Sequence, residues 1–264
     1  FPVGKVNFLD LGPLNFFEFL HAIGEGNLVS ILEEMQEPKA ITQVFHNKLI
    51  NFLKYYFIIG GMPEVVSTYL KTENLEEVRK VQKEILDAYI LDFAKHAPPN
   101  IVMKINQVWQ AIPNQLGKEN KKFIYSAIRK GARAKSFESA IQWLLEAGLI
   151  HKVYNVTTPK LPIKAYAQFD FFKVYLLDVG LLGAMADLSA NTMIQDDQLF
   201  HEYRGSFVEN YVAQSLAATA FGLYYWTSEG RAEIDFILQI ENGIYPLEIK
   251  SGFSVNQLSL DYMS

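Results

Sequence analysis

The chain has 264 residues, a formal net charge of −5, an apolar fraction of one half and no cysteine. Such a chain can build two or three small cores, and its balance excludes disulfide scaffolds, disordered polyelectrolytes and generic polyanion binders. It contains no long apolar run and no charged-then-apolar leader, so the reading is a protein of a reducing compartment, cytoplasmic by default, with no membrane partner.

In chain order, residues 5–11 read as a short strand stopped by Gly12-Pro13. Apolar residues then recur at helical spacing: Phe16, Phe17, Phe19 and Leu20, next Leu28, Ile31 and Leu32, next Leu49, Ile50, Phe52, Leu53 and Tyr56. Gly60-Gly61 interrupts the pattern, Pro63 suits the first turn of the next helix, and residues 76–95 form another. Residues 14–95 are therefore expected to be helical, with no catalytic spacing among them.

Charge is unevenly spread. Residues 101–153 carry nine basic and three acidic side chains, whereas residues 154–264 carry six and thirteen. The basic stretch has the pattern of a winged helix: short helices over 101–112 and 123–128, then a third capped by Ser136 with a Phe137, Ala140, Ile141, Leu144, Leu145 stripe. Residues 149–156 would be the first wing strand, 159–162 the wing tip and 172–177 the returning strand. The third helix shows Glu138, Gln142 and Glu146 on its outer face, which suits phosphates poorly. Lys121, Lys122, Arg129, Lys130 and Arg133, just before it, are the candidate contacts to a DNA backbone. Phe169, Phe171, Phe172 and Tyr175 could stack bases but are read as core. His21, His46, His96, His151 and His201 lack zinc-ligand spacing.

Residues 233–251 read as a hairpin, with Ile234, Phe236, Leu238 and Ile240 alternating against Glu233 and Asp235. With Asn242-Gly243 as a two-residue turn, Glu241 pairs with Ile244, Asp235 lies across from Lys250, and Glu248 lies diagonal to Asp235. Trp226 falls on the first strand of this sheet. The acid on one strand followed by acid-x-lysine on the next resembles the PD-(D/E)XK nuclease pattern. The helix over Gly205 to Val212 supplies a match for that family's helix acid at Glu209. The resemblance implies a magnesium-type cation on Asp235 and Glu248, with Glu209 as an outer ligand, and Lys250 as the residue that positions the nucleophile and stabilises phosphate charge.

A broader resemblance covers most of the chain. Phe1-Pro2-Val3-Gly4-Lys5, Pro13-Leu14-Asn15-Phe16-Phe17-Glu18-Phe19-Leu20, Gly60-Gly61-Met62-Pro63-Glu64, Asp92-Phe93-Ala94-Lys95 and residues 172–182, followed by the Glu209, Asp235, Glu248-x-Lys250 set, resemble successive landmarks of a prokaryotic family of AAA-type P-loop ATPases. The resemblance implies an α+β fold: the end of an ATPase core over 1–13, a helical lid over 14–100, a winged helix over 101–182, a linker over 183–204, and a truncated PD-(D/E)XK nuclease-like α/β domain over 205–264. No G-x-x-x-x-G-K-[ST] occurs in these residues, so ATP is expected only in a parent protein, through a core that this chain lacks. The functional expectation is a DNA-interacting, metal-dependent nuclease region that docks on its own ATPase core or on further copies. The alternative is an inactive nuclease-like fold that serves as a DNA- or protein-binding module.

Overall fold

Asn15 opens the first helix with a capping box: its side chain accepts from the Glu18 N–H at 2.9 Å, and the Glu18 carboxylate accepts from the Asn15 N–H at 2.7 Å. In this computed structural model residue 4 and residues 11–35, 40–118, 122–190, 193, 198–219, 221–228 and 232–250 are described. The expected helical stretch holds five helices: α1 (Phe16–Ala22), α2 (Gly26–Glu33), α3 (Gln43–Ile59), α4 (Pro63–Thr72) and α5 (Leu75–His96). Pro63 lies in the first turn of α4, where its missing N–H costs nothing. The strand expected over 5–11 and the end of the chain from 251 lie outside the described residues.

Next come α6 (Val102–Leu116), α7 (Ala134–Glu146), β1 (Ile150–Val156), β2 (Ala167–Leu176), α8 (Val179–Met185), α9 (Gln198–Ala217), β3 (Tyr224–Thr227), β4 (Glu233–Ile240) and β5 (Gly243–Leu247). The helix expected over 123–128 is not there; a 3-10 turn spans Tyr125–Ala127. Its backbone is already committed elsewhere. Phe123 donates to Phe172 O at 2.8 Å, and the Gln115 side chain takes both the N–H and the C=O of Ile124. Ser136 does not cap α7 either. The helix begins a turn earlier, with Arg133 as the unaided N-cap.

The fold is α+β around one mixed sheet of order β2-β1-β3-β4-β5. The strands expected to form an antiparallel C-terminal sheet do not stand apart: β3 joins the β1–β2 hairpin by pairing parallel to β1, with Tyr154 opposite Tyr224. Most of the buried apolar side chains, from Phe16 on α1 to Phe236 on β4, form a single core that runs through the N-terminal helices, α8 and one sheet face. A small second core of Val156, Ile163, Tyr224, Ile234 and Ile237 covers the other face.

Asp178 ties the α3–α4 loop to the start of α8. It is fully buried, caps α8 by accepting from Leu181 N at 2.9 Å, and accepts from Gly61 N at 2.7 Å. The loop must come very close for this. A Cβ on Gly60 would fall 2.2 Å from Asp178 Oδ1, and one on Gly180 would fall 2.4 Å from Ile59 O. Burial pushes the Asp178 carboxyl up to about 6 against the four hydrogen bonds that favour its charge. Among the described residues no helix is long and apolar enough to cross a membrane.

Candidate functional site

Helix α9 crosses the inner sheet face on a polar stripe. Ser206, Asn210 and Gln214, four residues apart, are all buried and all bonded. Ser206 Oγ donates to Leu116 O at 2.6 Å. Asn210 Oδ1 accepts from Leu176 N at 2.7 Å and its Nδ2 donates to Leu176 O at 3.0 Å, so the carboxamide closes on one backbone unit as a neighbouring strand would. Gln214 accepts from Val179 N and donates to the Tyr56 hydroxyl, both at 3.0 Å. These bonds fix the rotation of α9. Glu209, one residue before Asn210, thereby meets the sheet, where its Oε2 accepts from the Tyr175 hydroxyl at 2.9 Å.

Asp235 owes its position to a β-bulge. Along β3 the step from Tyr224 to Trp226 spans three residues of β4, from Ile237 to Ile234, so Asp235 and Phe236 together oppose Tyr225. Ile234 and Ile237 consequently share the outer core while Phe236 enters the inner one. That breaks the strict alternation expected from the sequence. Asp235 Oδ2 accepts from Ile249 N at 2.8 Å. Burial first, then the nearby Glu209, raise its carboxyl to about 6; Glu248 adds to the rise, while the Ile249 N–H and Lys173 oppose it.

The hairpin register differs from the expected one. Ile240 pairs with Gly243 and Phe236 with Leu247, so the turn is Glu241-Asn242, with Glu241 at φ +52°. Gly243 instead opens the second strand, with the Tyr245 ring folded over it. Continuing the ladder by one residue sets Asp235 against Glu248 rather than Lys250. The Lys250 ammonium is ion-paired with Glu248.

Lysine chemistry also arrives from a place the sequence reading missed. Lys173 on β2 is buried, pairs with Glu233, lies 4.9 Å from the Tyr225 ring centre and acts electrostatically on Asp235. A lone lysine in the apolar run from Phe171 to Leu177 gives no spacing signal, although a charge in such a strand is itself the clue.

The structure thus brings together Glu209, Asp235 and Glu248, with Lys250 on Glu248 and Lys173 behind Asp235. Among the described residues no three His, Asp or Glu side chains are placed to hold one metal ion. The all-oxygen donors nonetheless suit a hard cation of the magnesium type, which takes one or two carboxylates and fills its shell with water and phosphate. Asp235 and Glu248 would hold it. The repulsion from Glu209 and Glu248 that helps raise the Asp235 carboxyl is what such an ion would relieve.

Of the candidate DNA contacts, Lys121 lies outside the described residues. Arg129, Lys130 and Arg133 are exposed on the turn that leads into α7, with Gly131 at φ +81° between them. Lys122 is held differently: its backbone bridges Lys173 and its ammonium lies 3.7 Å over the Phe171 ring. Of the histidines, His151 is half-buried on β1, and desolvation depresses its pKa to about 4.

A family model described as a domain of unknown function, DUF8612, matches residues 50–192, more than half of the chain, and the chain belongs to that family. A second, DUF4143, also described as a domain of unknown function, matches residues 204–264; domains of this kind are often found at the C-terminus of AAA-type ATPases. No curated protein and no solved structure matches the chain.

Proposed function

We propose that this chain is the nucleic-acid-handling C-terminal region of an AAA-type ATPase, and that the cluster under α9 hydrolyses phosphodiesters with magnesium. ATP would be bound by the parent protein's own core. The observation that carries the reading is Asp235, set on a bulge with its carboxyl raised to about 6 by burial and by Glu209. Perturbed acids of this kind gather at functional sites. When bound, the ion would supply Lewis-acid stabilisation of charge on the phosphate. The rest is the work of the chain. Ile249 N–H aims one Asp235 oxygen, the Tyr175 hydroxyl holds Glu209 toward the sheet, and Lys250 stands beside Glu248 to meet a phosphate oxygen. Arg129, Lys130 and Arg133 would contact the DNA backbone from the turn before α7.

A binding module without cleavage is the second reading. The Glu248–Lys250 ion pair favours it, because each group already neutralises the other. Magnesium decides between them. The first reading expects magnesium to raise the melting temperature by a few degrees, roughly the shift that saturating binding gives. The shift should vanish in Asp235→Asn and Glu248→Gln, and plasmid nicking should vanish with it and in Lys250→Ala. Absent nicking together with an unmoved melting temperature sinks the hydrolase and leaves the binding module.

A further inference from the structure

The returning wing strand does not stay paired. Tyr154 on β1 faces Phe172, yet the next residue, Asn155, faces Gln168, so Phe169, Asp170 and Phe171 are looped out of the ladder. They sit on β2, the edge strand of the sheet. Phe169 is 56 % exposed and Phe171 39 %, so the expectation that both are core is corrected. Ring contacts continue inward from the bulge: Phe169 on Tyr154 at 5.1 Å between centres, Tyr154 on Phe172 at 6.4 Å, and Phe172 stacked on Phe123 at 5.4 Å. The inner rings make a rigid floor for the outer two.

Cations are set among these rings. Lys122 lies over Phe171, and Lys152 lies 4.1 Å from the Phe172 centre and 4.9 Å from that of Tyr154. Two acids act on Lys152, Glu138 from α7 and Asp170 from the bulge itself. Two outward phenylalanines at an edge strand are a liability unless something covers them. Ammonium groups packed on and beside half-exposed rings select an occupant that carries both π-faces and negative charge.

We infer that the β2 bulge is a platform for unpaired nucleotides, on which Phe169 and Phe171 stack bases while Lys122 and Lys152 meet the phosphates between them. Duplex DNA hides its base faces and cannot use such rings; a single strand can. The inference deepens the proposed function by naming the substrate class, and it rests on that reading only in taking nucleic acid as the ligand.

The experiment is fluorescence anisotropy of the 264-residue chain with labelled oligothymidylate, in EDTA so that the carboxylate cluster holds no metal. The single strand should bind more tightly than a duplex of equal length. Each of Phe169→Ala and Phe171→Ala should weaken it about tenfold, within the range measured for base stacking on aromatic side chains. Leucine at either position should not restore it. Lys122→Ala should lower the salt slope by about 0.7, the loss of one phosphate contact on a single strand. Both phenylalanines are exposed, so these variants keep the fold. Unchanged affinity in the double alanine variant, or equal affinity for duplex, overturns the platform. The two proposals fail separately. Strand binding that needs the phenylalanines, with no nicking by the parent, removes the hydrolase and keeps the platform. Magnesium-dependent nicking with no loss of strand affinity in the double variant does the reverse.

Discussion

Asp235 Oδ2 accepts the Ile249 N–H at 2.8 Å, and this bond joins the bulge in β4 to the segment that carries Glu248 and Lys250. A carboxylate that accepts a backbone N–H is normally stabilised in its charged form. Here burial, Glu209 and Glu248 outweigh that bond and raise the pKa to about 6.

The pH dependence follows with a definite sign. Between the ordinary carboxyl value near 3.8 and about 6 the folded protein keeps a proton on Asp235 that the unfolded chain has lost, so stability falls as pH rises through that window. Asp178 adds a fall of the same sign over the same range. Urea unfolding in EDTA should therefore give a more stable protein at pH 5 than at pH 7. The Asp235→Asn variant should lose about 1 kcal/mol of that difference, the part of a two-unit shift that falls between pH 5 and pH 7. A parent slope that the variant reproduces in full would remove Asp235 from the account.

Asp178→Ala should be among the most destabilising single changes in the chain. It strips acceptors from the buried N–H groups of Gly61 and Leu181 and leaves them without water, at a cost of about 3–5 kcal/mol. Asp178→Asn keeps one acceptor oxygen and should cost less. Gly180→Ala should cost several kcal/mol too, because its Cβ meets backbone atoms of Ile59 and Gly60, which cannot turn aside. Chemical denaturation at pH 7 ranks the three, and a tolerated Gly180→Ala would contradict the close approach.

These residues also explain what the sequence made legible. Gly60-Gly61 and the Asp178-Val179-Gly180 stretch stood out as landmarks, and the structure shows them meeting in one buried junction. Helices with a 3.6-residue apolar repeat, α1 to α7, were readable because each buries one stripe. The β1–β3 pairing was not, since parallel pairing between Tyr154 and Tyr224 leaves no local mark. Nor was the bulge: Ile234, Asp235, Phe236 alternate in sequence as a regular strand would, and only the flanking pairs, Ile237 with Tyr224 and Ile234 with Trp226, reveal the extra residue. The carboxylates were legible as a pattern, but their register was not, because Asn242-Gly243 advertises a turn while Gly243 already pairs with Ile240 in the ladder.

The basic turn before α7 should act on duplex rather than single strands. Replacing Arg129, Lys130 and Arg133 by alanine removes three exposed cations, and the log–log salt slope of duplex binding should flatten by roughly 0.9 for each phosphate no longer neutralised. Oligothymidylate affinity, carried by the β2 bulge, should change little. Equal losses for both ligands would merge the two surfaces into one.

The Lys173–Glu233 pair is lopsided, and its two ends should respond unequally to mutation. The lysine side chain is 1 % exposed and the glutamate 39 %, so Glu233 can be solvated when alone and Lys173 cannot. Lys173→Met replaces a buried ammonium by an apolar chain of similar length and releases a carboxylate that water already reaches. Such replacements are often near neutral, within about 1 kcal/mol. Glu233→Gln leaves the ammonium buried with Asp235 and the Tyr225 ring as its remaining neighbours, and a buried charge stripped of its partner costs about 3–5 kcal/mol where nothing else compensates. The glutamate variant should therefore be the less stable of the two in urea at pH 7. Carbon-detected titration of the Asp235 carboxyl adds an independent readout. Lys173 opposes the rise caused by burial and Glu209, so Lys173→Met should move that carboxyl above about 6. A downward shift, or a lysine variant less stable than the glutamate one, would show that Lys173 is held by packing and not by the carboxylates around it.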